Sequence, residues 1–212
     1  HSIWGFAMAR ILDIPFFTTV HGNLTYIKQE PWYEYYKALS AGTKFISISK
    51  AQKKFAKVKL QWFGNVYNGI VVDKFKCNEH PKDFFFWLGR ISPIKGTVEA
   101  IRAAKAAGVK LVIAGKIDKQ SAVDVDYYEK KVKPLLDGKQ IQYLGEISNA
   151  RKESLLRNAR ALVNPIKWNE PFGLVMTEAM ASGTPVIANR YGSVPEIVTH
   201  GKTGFITKTH AD

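Results

Sequence analysis

Short apolar runs alternate with helix-patterned segments along nearly the whole chain, and this alternation constrains the fold more than any other feature. Phe16 to Val20, Lys44 to Ser49, Phe84 to Leu88, Lys110 to Ala114, Ile141 to Leu144, Ala161 to Asn164, Pro185 to Ala188 and Gly204 to Ile206 read as strands. Between them lie helix signals. Thr97-Val98-Glu99 opens an Ala-rich run closed by Gly108, and Ser148-Asn149 precedes Arg151-Lys152-Glu153-Ser154-Leu155-Leu156. Strands separated by helices imply parallel pairing through crossover connections, so the expected class is α/β with doubly wound, Rossmann-like sheets.

A break is expected after the turn dipeptide Asn68-Gly69, in the mixed stretch that ends Asn78-Glu79-His80-Pro81. The reading gives a first domain over residues 1–73, a linker over 74–83 and a second domain over 84–212. Only two strands precede the break, fewer than a stable open sheet needs. The chain opens at His1 without Met, in an amphipathic pattern of Ile3, Phe6, Ala7, Arg10 and Ile11, and stops soon after Gly204-Phe205-Ile206. The first domain is therefore expected to be the last part of a larger one, with both ends internal to a longer protein.

Charge narrows the partners without choosing one. The 31 Lys and Arg against 18 Asp and Glu leave a formal +13, which suits nucleic acid, an anionic membrane surface or a phosphorylated small molecule. Cys77 is the one cysteine, so no internal disulfide can form and a reducing, cytoplasmic setting is the default. The apolar stretch from Ser2 to Phe17 is broken by Arg10, Asp13 and Pro15 and is not a spanning helix. The Asn23-Leu24-Thr25 sequon carries no weight without a secretory signal.

Ligands of an open α/β sheet bind beyond the carboxyl ends of its strands. Two segments fall there. Gly89-Arg90-Ile91-Ser92-Pro93-Ile94-Lys95-Gly96 sets Arg and Lys between glycines, suited to a diphosphate and equally readable as a solvated loop. It is neither a Walker loop nor a G-x-G-x-x-G turn. The second is Trp168-Asn169-Glu170-Pro171-Phe172-Gly173-Leu174-Val175-Met176-Thr177-Glu178. With Pro171 at the first helical position, the N–H groups of Phe172, Gly173 and Leu174 would point at an anion from a helix start. If the whole interval rose as a helix, Glu170 and Glu178 would stand roughly 12 Å apart along its axis. Glycosidase acids stand about 5 to 9.5 Å apart, so the pair suits the two ends of an elongated ligand better than hydrolysis. Taken alone, the two acids read more readily as a helix-terminal acid and a surface acid.

These segments, with Tyr143-Leu144-Gly145-Glu146-Ile147 and the continuation Ala179-Met180-Ala181-Ser182-Gly183-Thr184-Pro185-Val186, resemble the retaining GT-B glycosyltransferases of family four. Glu170 and Glu178 are similar to that family's E-x7-E signature. The likeness extends in order to Pro15-Phe16-Phe17-Thr18-Thr19-Val20-His21-Gly22, Ile46-Ser47-Ile48-Ser49-Lys50 and Val66-Tyr67-Asn68-Gly69-Ile70, and so covers nearly the whole chain. It implies a nucleotide-diphosphate sugar as donor, UDP- or GDP-linked, transferred with retention to a hydroxyl of a glycan, lipid or small-molecule acceptor. It further implies that the donor is a substrate rather than a cofactor, that no metal is bound, and that residues 1–73 form the acceptor side.

By the same resemblance, Arg90 and Lys95 would hold the diphosphate, joined by N–H groups at Phe172, Gly173 and Leu174. Backbone near Ile147, with Asn149, would meet the base, Glu178 the ribose and Glu170 the sugar, while His21 would face the sugar from the first domain. A lone histidine otherwise reads as a structural hydrogen-bonding residue. Gly192-Ser193-Val194-Pro195-Glu196 departs from the family's frequent Gly-Gly, and the family's first glycine-rich loop would precede His1.

Asp124-Val125-Asp126 spells a D-x-D, but capping of a helix start explains it better than a metal. His80, His200 and His210 show no ligand spacing. Lys50, Lys53, Lys54, Lys57 and Lys59 with Phe55, Trp62 and Phe63 suit either an anionic lipid surface, giving a peripheral membrane contact, or a solvated helix face with core anchors. Trp32, Tyr33, Tyr35 and Tyr36 fit an acceptor site or a core. The rival functions are an epimerase or phosphorylase on the same fold and a basic nucleic-acid-binding domain, for which no recognised module is present.

Overall fold

The computed structural model describes residues 8, 9, 11, 12, 14–25, 33, 34 and 42–208. Trp32, Tyr35, Tyr36 and His210 lie outside them, as do His1 and most of the opening amphipathic pattern. The chain separates into two compact units: His1–Gly69 with Asn169–Phe172, and Ile70–Trp168 with Gly173–Asp212.

The first unit carries three parallel strands in the order β1-β2-β3: β1 (Phe16–Val20), β2 (Thr43–Ser47) and β3 (Trp62–Asn65). Helix α1 (Lys50–Phe55) follows β2 and is capped by Ser49, whose hydroxyl accepts the Gln52 N–H at 3.0 Å. Val20, Leu24, Phe45, Val58 and Leu60 form its buried core, with Trp62 packed against them. β3 corrects the expectation of two strands, and of a helix face running through the lysine-rich stretch. The helix stops at Phe55, and Trp62 and Phe63 belong to the strand instead.

Two lysines of that stretch, and Lys44 of β2, lie over aromatic rings. Lys53 stands over Trp62 at 5.8 Å and Lys54 over Phe55 at 5.6 Å, while Lys44 reaches both Phe17 and Phe63.

The second unit is a six-stranded parallel sheet in the order β6-β5-β4-β7-β8-β9. Its strands are β4 (Phe85–Leu88), β5 (Leu111–Ala114), β6 (Ile141–Tyr143), β7 (Leu162–Asn164), β8 (Val186–Asn189) and β9 (Gly204–Thr207). The helices are α2 (Thr97–Ala106), α3 (Ala122–Tyr127), α4 (Asn149–Asn158), α5 (Leu174–Ala181) and α6 (Val194–Ile197).

Alternation along the strands decides which helix each face meets. Phe86, Val112, Ala114, Leu162, Val186 and Ala188 pack against Leu155 and Leu156 of α4 and Met176 and Ala179 of α5. Trp87, Leu111, Ile113 and Ile141 pack against Val98, Ile101 and Ala104 of α2 and Val132 beyond α3. All four residues of β5 are buried, as expected for an inner parallel strand covered on both faces. Each fully buried Ile or Phe contributes about 1.5–3 kcal/mol of transfer free energy, so these two layers carry most of the unit's stability.

The strand order creates the site. The chain builds outward from β4 to β6, returns to add β7 beside β4, and continues to β9. The loops after β4 and β7 thus diverge onto opposite faces of the sheet, leaving a crevice at its carboxyl edge, where an open α/β sheet takes its ligands.

Candidate active site

Four loops meet at that edge, following β4, β5, β6 and β7, and they are tied to one another. Gly89 N–H donates to Ala114 O at 3.2 Å, Ile91 N–H to Lys116 O at 2.9 Å, and Gly115 N–H to Gly145 O at 2.8 Å. The Tyr143 hydroxyl donates to Gly115 O at 2.8 Å. Across the crevice, Lys167 N–H donates to Ile94 O at 2.9 Å, and its ammonium pairs with Glu99 at 2.8 Å.

Gly96 is required in this arrangement. Its φ of +73° is left-handed, and a Cβ there would meet Pro165 O at 2.0 Å.

Of the site residues read from the sequence, Arg90, Lys95, Ile147, Asn149, Gly173, Leu174 and Glu178 fall in the second unit, all on loops or helices that leave the carboxyl ends of strands. Arg90 follows β4 and is exposed. Lys95 ends the 3-10 turn Pro93–Lys95 and stands over the Trp168 ring at 4.6 Å, so one loop's cation is placed against the other loop's aromatic. Ile147 lies half-buried after β6, where Ser148 caps α4 by accepting the Arg151 N–H at 3.3 Å, and Asn149 is exposed at the helix start.

The start of α5 differs from the expectation. The helix begins at Leu174, not at Pro171, because Gly173 takes φ +86° and ψ +65° as a left-handed N-cap. Pro171 and Phe172 are buried before it. The outward-pointing N–H groups of the first turn therefore begin with Leu174 and Val175, and the dipole's positive end sits one turn later in sequence. Only the four-residue step from Leu174 to Glu178 is helical, about 6 Å of rise, so the interval between the two acids is not a continuous helix.

His21, Glu170 and Phe172 fall in the first unit. His21 follows β1 directly and is exposed. Two residues later Asn23 donates through Nδ2 to Asn169 O at 2.6 Å and accepts the Thr25 N–H at 2.7 Å, which ties the Glu170 segment to the loop that carries His21. Phe172 lies 6.1 Å from the Tyr67 ring.

The partners of several of these residues carry no local sequence signal. Glu178 is 16% exposed and pairs with Lys152 of α4 at 2.6 Å, across 26 positions of sequence. Arg90 faces Asp124 at 3.4 Å and Asp118 at 3.9 Å. Gln52 donates to Val20 O and Gly22 O, each at 2.8 Å, and so brackets His21.

The D-x-D carboxylates diverge, Asp124 toward Arg90 and Asp126 to Lys130, and the capping role expected of them belongs to Ser121, which accepts the Asp124 N–H at 3.2 Å. No group of three metal-ligating side chains occurs among the described residues. His200 is structural, accepting the Ile206 N–H at 3.1 Å. No described helix is long and apolar enough to cross a membrane.

The arrangement offers two cations, a helix start and a half-buried carboxylate along one edge of a parallel sheet. The chain is 33% identical over 132 residues to D-inositol 3-phosphate glycosyltransferase of Corynebacterium glutamicum, a match covering 59% of this chain and 31% of that one. The chain thus spans about a third of the curated relatives' length.

Its fold is similar to sucrose-phosphate synthase from Thermosynechococcus elongatus, with TM-score 0.79 and 21% identity, covering 99% of this chain and 59% of that one. It is similar also to the Anabaena protein HepE in complex with UDP and glucose, with TM-score 0.78 and 21% identity, covering 97% and 61%. Both likenesses place the two parallel sheets with the Rossmann-like units of GT-B proteins. Residues 72–212 match the family described as glycosyl transferases group 1, and the chain belongs to that family.

Proposed function

We propose that the protein transfers a sugar from a nucleotide-diphosphate sugar to an acceptor hydroxyl with retention of anomeric configuration. The observation that carries this reading is the gathering of Arg90, Lys95, the α5 start and Glu178 on the carboxyl edge where the strand order reverses. A diphosphate there meets two cations and the positive end of a helix. As the glycosidic bond to the donor breaks, negative charge grows on the departing nucleotide, and fixed cations stabilise it without a bound metal or cofactor.

Glu178 accepts the ribose hydroxyls. Lys152 holds it through an ion pair at 2.6 Å, and the backbone at Ile147, with Asn149, meets the base. Glu170 and His21 act at the sugar, Glu170 through hydroxyl contacts. N–H groups from Phe172 to Leu174 reach sugar or phosphate, those beyond Gly173 aided by the dipole. No carboxylate pair is needed as nucleophile and acid.

A relative named for glycosyl transfer to an inositol phosphate and a structural neighbour holding UDP and glucose support a nucleotide sugar as donor.

Calorimetry with UDP and GDP tests the donor site: binding is expected for at least one, weakened about tenfold or more by Glu178→Ala, since a hydrogen-bonded charge contributes about 1.5–3 kcal/mol. Absence of heat and of thermal protection with both nucleotides would remove the assignment. Transfer assayed with and without EDTA is expected to run at the same rate. Product analysis separates the rivals, because epimerised sugar or sugar phosphate without an acceptor adduct would point to an epimerase or phosphorylase.

A further inference from the structure

Arg90 leaves β4 as an exposed side chain, 43% accessible, yet two carboxylates from the following crossover meet it on different nitrogens. Asp118 Oδ2 lies 3.9 Å from Nη1, and Asp124 Oδ2 lies 3.4 Å from Nε. Charge attraction at two nitrogens draws the guanidinium toward these carboxylates. They leave Nη2, with its two N–H donors, uncommitted among the described residues.

Both anchors stand on braced backbone. Asp118 uses its other oxygen to accept the Gln120 N–H at 3.1 Å, and its carbonyl accepts from Ser121 at 3.0 Å. Asp124 has its N–H bound by the Ser121 hydroxyl, and the next turn of α3 is pinned to α2 through Val98 N–H donating to the Tyr127 hydroxyl at 3.1 Å.

Asp124 is an expensive residue at this position. Its side chain is 7% exposed, and Oδ2 is buried without a hydrogen bond. Burial pushes its carboxyl above the usual range, the Arg90 charge pulls it down, and the Asp118 charge pushes it up again. An Asn would fill the same volume without that cost, so the distinct contribution of the carboxylate is its charge against Arg90.

We infer that Asp124, with Asp118 beside it, is a positioning residue for the donor's diphosphate: it holds Arg90 in one orientation so that the uncommitted end of the guanidinium is presented to the phosphates. The inference rests on the reading that Arg90 binds the diphosphate. Its physical basis is preorganisation, because ordering a long side chain on binding costs about 0.5–1.5 kcal/mol and a side chain already ordered avoids that cost.

The test is a double-mutant cycle on binding of UDP and GDP by the whole chain. Asp124→Asn is expected to weaken the nucleoside diphosphate about three- to tenfold, the fold-change equivalent to ordering one such side chain. It is expected to leave uridine or guanosine affinity unchanged and to have no further effect once Arg90→Ala is present. Asp118→Asn, at a half-buried position where the amide oxygen can still accept the Gln120 N–H, is expected to give a smaller loss with the same dependence on Arg90, and it serves if Asp124→Asn does not fold.

Unchanged or tighter diphosphate binding overturns the inference. So does an equal loss for the free nucleoside, or an equal loss in the Arg90→Ala background. If Arg90→Ala weakens UDP or GDP and neither Asp variant does, positioning fails while the donor site stands. If the unaltered chain binds neither nucleotide, the donor site fails and takes this inference with it.

Discussion

Single residues at the carboxyl edge are constrained by backbone approach as much as by charge, and Gly96 shows the difference. Its left-handed φ alone makes a side chain cost about 1–2 kcal/mol. A Cβ at Gly96 would in addition sit 2.0 Å from Pro165 O, so the loop after β7 would have to move. Gly108, at the end of α2, shares the left-handed conformation at φ +66° but has nothing within 4 Å of an added Cβ. Gly96→Ala is therefore expected to lower the thermal midpoint clearly more than Gly108→Ala and to weaken nucleotide binding, which Gly108→Ala leaves alone. Equal midpoints would mean the two loops are not held together through this contact. The sequence marks both glycines as turn residues but cannot tell them apart, because the difference lies in a carbonyl 69 positions away in sequence.

At the scale of elements, legibility followed how local each signal is. β5, buried on both faces, reads directly from Leu111 to Ala114 as an apolar run, and α4 from its Ser148 cap. β3 did not read, because it is an edge strand with two large apolar residues followed by Gly64 and Asn65, and its pairing to β2 shifts register between Phe45 and Ile46. The start of α5 lies later than Pro171 predicts, because the left-handed Gly173 turns the chain just before the helix and overrides the local signal of the proline.

Of the site, charged and glycine motifs were legible. The partners of Arg90 and Glu178 were not, since tertiary packing brings them together from distant parts of the chain.

Gln52 belongs to the same class. It is buried on α1, accepts the Ile48 N–H at 2.9 Å and donates to Val20 O and Gly22 O, so one amide holds α1 to the exit of β1 where His21 sits. Gln52→Leu leaves a buried N–H and two carbonyls without partners, at about 1–3 kcal/mol each before relaxation. A loss of about 2–5 kcal/mol in urea unfolding is expected, with faster amide exchange around Ile48. Gln52→Glu is expected to rescue little, because a carboxylate cannot donate to the two carbonyl oxygens. A loss below about 1 kcal/mol would show that the loop has another anchor.

At the scale of the whole molecule, the two units differ in how much of their stability each supplies. The second unit carries six parallel strands, helices on both faces and two buried clusters that together include Trp87, Phe86, Ile113, Leu156 and Met176. A sheet covered on both faces buries its apolar strands without help from outside, so residues 70–208 are expected to fold alone.

The donor contacts proposed for Arg90, Lys95, Ile147, Asn149 and Glu178 all lie in this unit, whereas His21 and the Glu170 segment lie in the other. Expressed by itself, the 70–208 segment should unfold in a single cooperative transition and bind UDP or GDP within about fivefold of the 212-residue chain, a change of roughly 1 kcal/mol. A nucleotide sugar should lose more on the same truncation, because it removes His21, assigned to the sugar end, and the Asn23 contact that holds the retained Glu170 segment. Equal losses for nucleotide and nucleotide sugar would refute that assignment of the sugar contacts, and a non-cooperative transition would show that the first unit completes the second unit's core.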